Sequence, residues 1–281
     1  MTRRSPTVRR RRLGIELRQL REAADLTIDQ VAKALECSDS KVSRIETGRV
    51  GATPRDVRDM LALYQVSDEQ RDALIQIARE ARQKGWWHEY GDVPIVPAYI
   101  GLEVAAASVR LFEPLVVPGI LQTVEYARAV IHSVFPKLPP EEIEHRAELR
   151  MARQSLLTQD DPLALWVVLD EAVLHRLIGE HAVAREQLHR LIEAAELPNV
   201  TLQMLPFAAG VHAGSDGAFN IIGFDEPADP DLVFLEHAAV ALYLETAEEV
   251  DRFRLLFDRL CDTALDPAAS TDFIMALAKE L

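Results

Sequence analysis

The polar side chains gathered at Ser38, Asp39, Ser40, Lys41, Ser43, Arg44 and Arg49 are suited to reading a polyanion, not to making or breaking bonds. Lysine and arginine donate to phosphate oxygens and to the O6 and N7 edge of guanine, while serine and aspartate reach base edges or the backbone. Gln30 joins the set as an amide at the start of a neighbouring helix. The sequence leaves open which of these meets a base and which a phosphate.

Side chains of this kind must project from a rigid element, and the surrounding spacing supplies one. Val42 and Ile45 fall on one helical face, Asp39, Ser40, Lys41, Ser43 and Arg44 fall outside it, and Ser38 carries an N-cap hydroxyl. Upstream, Thr27 and Gln30 form a capping-box pair, so a short helix carries Val31, Ala32 and Leu35 inward and stops near Leu35. Two short helices across a tight turn make an arrangement in which the first braces the second and the second enters a major groove. The amides at both helix starts are further phosphate donors.

Around this pair the pattern predicts three more helices. The first begins at Leu13, with Leu17, Leu20 and Ala24 at helical spacing. The fourth is capped by Thr53 and opened by Pro54, with Val57, Met60, Leu61 and Tyr64 inside. The fifth has a capping box of Ser67 and Gln70, carries Leu74, Ile77, Ala78 and Ala81, and runs to Gly85. Ahead of the bundle, Arg3, Arg4 and Arg9 to Arg12 read as a basic arm for a phosphate backbone or minor groove, or as a solvated tail.

The series Leu26, Thr27, Val31, Ala32, Leu35, Ser38, Val42-Ser43-Arg44-Ile45-Glu46, Gly48 and Arg49 resembles the XRE, or Cro/C1-repressor-like, helix-turn-helix family. The resemblance implies a DNA-binding domain with Asp39, Ser40, Lys41 and Arg44 on the groove-facing side of a recognition helix and Arg49 near the phosphates. Two positions depart from the family's pattern. The turn glycine is replaced by Glu36, which requires a non-glycine residue at positive φ, at a cost of about 1 kcal/mol. The polar residue that opens the second helix is replaced by Ile28, leaving Gln30 as the substitute phosphate contact. The other reading of this bundle is a face that binds protein.

Beyond Lys84 the helical period breaks at Gly85, Trp86, Trp87, Pro94 and Pro97, which marks a domain junction. Trp86 and Trp87 are either a surface for a ligand or partner or packing between domains. Residues 102–113 are apolar at helical spacing, Thr123 caps a helix to about Phe135, and 139–157 reads as a longer amphipathic helix. A buried strand at 163–169, a helix at 180–196 and a strand at 200–205 make a βαβ step. Strands at 219–224, 232–235 and 240–244 and helices at 248–265 and 270–281 complete the chain.

The motifs Gly85-Trp86-Trp87, Tyr99-Ile100-Gly101-Leu102-Glu103, Val117-Pro118-Gly119-Ile120-Leu121-Gln122-Thr123 with Tyr126-Ala127-Arg128, Leu202-Gln203-Met204-Leu205-Pro206-Phe207 and Leu242-Tyr243-Leu244-Glu245 resemble the effector domain of actinobacterial antitoxin-like XRE regulators, the WhiJ-like group. That resemblance implies a developmental or secondary-metabolism regulator whose gene neighbours one for a small partner protein. It supplies no defined ligand and no catalytic residues.

A net charge of −14 argues against a nucleic-acid binder until its distribution is read. Residues 1–55 hold 13 Lys and Arg against 7 Asp and Glu, and the remainder holds 18 against 38. A basic module on an acidic body presents one face to a polyanion. With 48% hydrophobic and 27% charged residues the chain is expected to fold. No apolar stretch approaches the roughly 20 residues of a membrane span, and none follows Arg12 as a signal segment would. A cytoplasmic protein without a membrane partner is expected.

His212, Asp216 and His237 have acid–base or metal chemistry, but no HExxH, GxSxG, P-loop or CxxC accompanies them. Cys37 and Cys261 read as two reduced thiols. The expectation is no enzyme, no cofactor and no metal. Residues 207–219, with His212 and Asp216, read as a pocket or partner surface, or as plain turn chemistry.

The expected architecture is multidomain, α and α+β: a basic arm at 1–12, a five-helix helix-turn-helix bundle at 13–84, a junction at 85–99 and a mixed-sheet α+β effector domain at 100–281. The expected partners are double-stranded DNA, a second copy of the chain, and a small protein from a neighbouring gene. A homodimer is expected because two recognition helices about one DNA turn apart gain affinity that one lacks. The alternatives are control by a small-molecule ligand in the C-terminal domain and, more remotely, a non-DNA adaptor or enzyme.

Overall fold

A computed structural model describes residues 5–90, 96–176, 180–237 and 240–281. The chain folds as two compact units, one built from residues up to 88 together with 96–105, the other from 106–281.

The first unit is helical: α1 Pro6–Ala23, α2 Ile28–Ala34, α3 Asp39–Glu46, α4 Pro54–Leu63, α5 Asp68–Glu80 and α6 Val96–Ala105. Its core is the apolar stripes of α1 to α5, with Leu13, Leu17, Val31, Val42, Val57, Met60, Leu61 and Ala78 fully buried. Each large aliphatic side chain removed from water there stabilises the unit by about 1.5–3 kcal/mol. The caps expected at Thr27, Ser38 and Thr53 are all formed, and Asp56 completes a further capping box with Thr53.

Several expectations are corrected. Helix α1 begins at Pro6 and not at Leu13, because Ser5 accepts from Thr7 N at 3.2 Å and proline presets the first helical φ. The run Arg9 to Arg12 is therefore helical and not an arm: Arg9 meets Glu80 at 3.3 Å, Arg10 reaches the carbonyl of Ala81 at 3.5 Å, and Arg11 is buried. Arg3 and Arg4 lie outside the described residues. Helix α5 ends at Glu80, short of Gly85, and Ser67 caps it through Gln70 N alone. Residues 102–113 are not one helix, since α6 stops at Ala105 and Ser108–Glu113 forms a strand. That strand alternates outward and inward side chains and takes an interior place in a sheet, which overrides the shared apolar pattern.

The second unit is a six-stranded mixed sheet with helices. In chain order its elements are β1 Ser108–Glu113, α7 Val124–Val134, α8 Pro140–Arg153, β2 Ala164–Asp170, α9 Glu171–His175, α10 His181–Ala195, β3 Val200–Leu205, β4 Phe219–Gly223, β5 Leu232–His237, β6 Val240–Leu244, α11 Ala247–Thr263 and α12 Pro267–Glu280. The strand order is β3-β2-β1-β4-β5-β6. The first three strands are parallel to one another, and β4, β5 and β6 add antiparallel. The β2–α10–β3 step is the expected βαβ unit, and α9 is an unforeseen extra turn within it. The end of the expected 139–157 helix is a 3-10 turn, Gln154–Leu157.

Helix α11 packs Phe253, Phe257 and Leu260 on one face of the sheet, against Phe112, Val168, Leu205, Phe219, Ile221 and Val233. The two sheet edges differ. At β3, Met204 N donates to Ser270 Oγ at 2.9 Å and its carbonyl accepts from Leu265 N at 2.8 Å, so the approach to α12 closes that edge. At β6 the apolar Val240 and Leu242 are each 51% exposed.

Candidate nucleic-acid interface

Helix α3 starts where Ser38 Oγ accepts from Lys41 N at 3.2 Å. This leaves Ser38, Asp39 and Ser40 exposed at its first turn, with Arg44 one turn further along the same surface. The Arg44 guanidinium is steadied by its own helix, Nε donating to the Ser40 carbonyl at 3.1 Å, so its remaining N–H groups face solvent. Ser43 is half-buried, and Arg49, beyond the helix end, is exposed with no acceptor among the described residues. Gln30 is exposed, but its Oε1 accepts from Thr27 N at 2.8 Å, which leaves the amide hydrogens on Nε2 as the groups still able to donate. Between α2 and α3 the turn carries Glu36 at φ 50°, the left-handed conformation expected of it.

Lys41 differs from the expectation of a free donor. Its Nζ bonds Asp56 Oδ1 at 2.7 Å, tying α3 to α4, and this hydrogen bond raises the lysine pKa above its ordinary value. At Asp56 burial acts to raise the carboxyl, but the bonds from Lys41 and Thr53 outweigh it and hold the group below the usual range. Lys41 is thus first a brace, with its side chain still partly exposed.

What fixes α3 in space is a contact that spacing alone did not single out. Arg21 of α1 meets Glu46, the last residue of α3, in a two-pronged buried pair with Nε–Oε1 at 2.7 Å and Nη2–Oε2 at 3.0 Å. Its Nη1 also donates to the Leu26 carbonyl at 2.8 Å, so one side chain positions α1, the lead-in to α2, and α3. The bond from Glu46 raises the Arg21 pKa, keeping the guanidinium charged. The helices can approach this closely because Gly14 lacks a Cβ, which would fall 2.6 Å from the Ile45 and Glu46 carbonyl oxygens. Beside the pair, burial pushes the Tyr64 hydroxyl pKa up.

The geometry is that of two short helices at a tight turn, the second presenting polar groups from its N-terminal half. Comparison with known families agrees with it: residues 12–74 match a helix-turn-helix domain. Residues 96–276, more than half of the chain, match a domain of unknown function, DUF5753. The chain belongs to the DUF5753 family. No curated protein and no solved structure matches it. This DUF5753 protein therefore joins a helix-turn-helix domain, the fold of a DNA-binding regulator, to a mixed-sheet domain.

The remaining candidate residues of the DUF5753 protein are dispersed. Trp87 is buried, 3% exposed, and stacks edge-on with the half-buried Trp86 at 6.0 Å, so Trp87 is packing and not an open platform. His212 lies in the long connection from β3 to β4, its ring against Phe112 at 5.6 Å and its Nε2 3.5 Å from Asp170. The carboxylate beside His212 is thus Asp170 and not Asp216, which is exposed nearby, while His237 is exposed at the end of β5. Among the described residues no three His, Cys, Asp or Glu side chains converge as a metal site, and no helix is long and apolar enough to cross a membrane. Both cysteines are free, and burial pushes the Cys261 thiol up to about 12.

Proposed function

We propose that this DUF5753 protein is a sequence-specific, antitoxin-like transcriptional regulator of the WhiJ-like kind. In this reading α3 enters the major groove, Asp39, Ser40 and Ser43 meet base edges or backbone, and Arg44 and Arg49 meet guanine or phosphate. The observation that carries it is the exposed polar surface of α3 held rigidly by the buried Arg21 and Glu46 pair. A surface meant only for packing would not be uncapped by apolar contacts and braced in this way.

The protein acts as a homodimer, since one recognition helix covers only a few base pairs. Its sheet domain receives a small protein encoded by a neighbouring gene, and the chain is assigned no catalysis. Among the described residues no strand pairs with β6 on its outer side, and its exposed Val240 and Leu242 support a protein-binding role for that domain, because unpaired strand edges recruit a further strand.

Fluorescence anisotropy with the DNA upstream of the protein's own gene tests the reading, comparing wild type with Arg44→Ala/Arg49→Ala across a salt series. Binding should prefer that DNA over scrambled sequence and weaken with salt, with a shallower salt slope in the double variant. Absence of binding, or a variant that binds unchanged, would overturn it.

A further inference from the structure

Helices α4 and α5 leave a groove of about 720 Å³ between them, lined by Arg58 and Ala62 from the first and by Arg71, Asp72, Ile75 and Arg79 from the second. Residues four apart stand one above another on a helix, so Arg71, Ile75 and Arg79 form one wall and Arg58 and Ala62 the other. Ile75 is buried and makes an apolar floor, while Arg58, Ala62 and Arg79 are exposed and Arg71 is half-buried.

Most of the positive charge in the groove is uncommitted. Among the described residues Arg58 has no ion pair or hydrogen bond, Arg79 has only a 3.5 Å bond to Gln76 Oε1, and Arg71 pairs with the exposed Asp68 at 2.7 Å. Asp56, which holds Lys41 of α3, and Arg58 are two residues apart and so about 160° apart around α4. The groove therefore lies on the flank of α4 away from the α3 surface. Three arginines against one aspartate, over an apolar floor, call for an acidic occupant with an apolar anchor.

The sheet unit carries such a surface. On α11, Asp251, Leu255, Asp258 and Asp262 fall within about 60° of one another around the helix. All four are exposed, Leu255 by 63%, whereas Val250, Phe257 and Leu260 of the same helix face the core. Asp251 pairs with its neighbour Arg254 at 2.7 Å, and Asp258 and Asp262 have no ion pair or hydrogen bond among the described residues. Arg252 and Arg259 border this stripe on one side, as Asp72 borders the groove. The dimensions also agree. Arg71 and Arg79 are about 12 Å apart along α5 with Ile75 midway, and Asp251 and Asp258 are about 10 Å apart along α11 with Leu255 between them.

We propose that two copies of the chain associate through these surfaces, the α11 stripe of each seated in the α4–α5 groove of the other. Leu255 then covers Ile75 and Ala62, and the aspartates meet Arg58, Arg71 and Arg79. A two-fold arrangement makes the contact twice, because each copy supplies one groove and one stripe. A free small anion would leave the apolar floor and the separation of the arginines unused. The inference names the surface of the homodimer and rests on that part of the functional reading, not on DNA binding.

Sedimentation velocity on the full chain tests it. Wild type should be dimeric at micromolar concentration and dissociate as salt rises. Arg71→Glu/Arg79→Glu and, separately, Asp258→Arg/Asp262→Arg should each raise the dissociation constant at least tenfold, since like charges then meet. Mixed together, the two variants should associate again, because one of the two contacts is then wild type and the other joins carboxylates in the groove to arginines on α11. Leu255→Ser, at a site whose exposure spares the fold, should weaken wild-type association at least threefold. A monomeric wild type removes the homodimer reading and the inference together. A dimeric wild type that none of these substitutions weakens, or weakened double variants that do not recover on mixing, overturns the inference and leaves the dimer standing.

Discussion

In the helical unit Arg21 and Glu46 bury their charges in a two-pronged pair, whereas in the sheet unit Glu113, at the end of β1, has no ion pair among the described residues. Arg21 and Glu46 are buried and Glu113 is partly so, and taking an ionisable group out of water is unfavourable by itself. In the first the protein answers each charge with its own partner, and the result is an α3 held fixed against α1. In the second no charge of the protein answers Glu113 among the described residues, and burial raises its carboxyl. Whether buried charge is matched internally therefore separates a group that positions other side chains from one that only costs stability when it ionises.

Breaking the matched pair should have the largest effect. Glu46→Ala leaves Arg21 buried and uncompensated and should cost about 3–5 kcal/mol of stability. Glu46→Gln, which retains one acceptor, should cost less. Denaturant unfolding of the two variants measures both, and a loss below about 1 kcal/mol in Glu46→Ala would reduce the pair to surface strength.

The unmatched side of the comparison predicts the opposite sign. Glu113 has a folded-state pKa raised to about 8 from 4.5, so its favourable contribution is full below the lower value and disappears as pH rises through the upper one. Glu113→Gln should therefore be more stable than wild type at about pH 8, by on the order of 2 kcal/mol after allowing for the residue's partial exposure, and should lose that advantage by about pH 4. Melting curves at the two pH values check this. A variant less stable than wild type at the higher pH would place an unseen stabilising partner at Glu113.

A smaller effect is expected where a matched pair is partly exposed. Asp56→Asn should cost about 0.5–1 kcal/mol, because Lys41 and Asp56 remain in contact with solvent. Asp56 has a depressed pKa, so its contribution is present above the ordinary carboxylate range and lost as pH falls through the folded value. Unfolding measured at neutral and strongly acid pH should show the difference between the two proteins shrinking on acidification.

Features that depend on neighbours in sequence were legible in advance. Thr27 with Gln30, Ser38, and Thr53 with Pro54 mark their helices through bonds three residues long, and the left-handed Glu36 follows from the turn they enclose. Residues 163–205 revealed a strand, helix and strand because each segment has one unambiguous period. The stretch 102–113 did not, since its apolar residues satisfy a helix and a strand alike and only pairing with β2 and β4 decides. Arg9 to Arg12 were misread because charge density hid the Ser5 cap and Pro6. Partners such as Arg21 with Glu46 join residues far apart in the chain, and no local period announces them.

The central claim is that α3 reads base pairs from its first turns, and it is tested most directly by measuring affinity for a set of operators, each with one base pair changed. Ser40→Ala should relax discrimination at one or two adjacent positions and leave the others intact, while Arg49→Ala should weaken all operators by a similar factor. If Ser40→Ala instead weakens every operator equally, or leaves the whole profile as in wild type, α3 is not the reading helix.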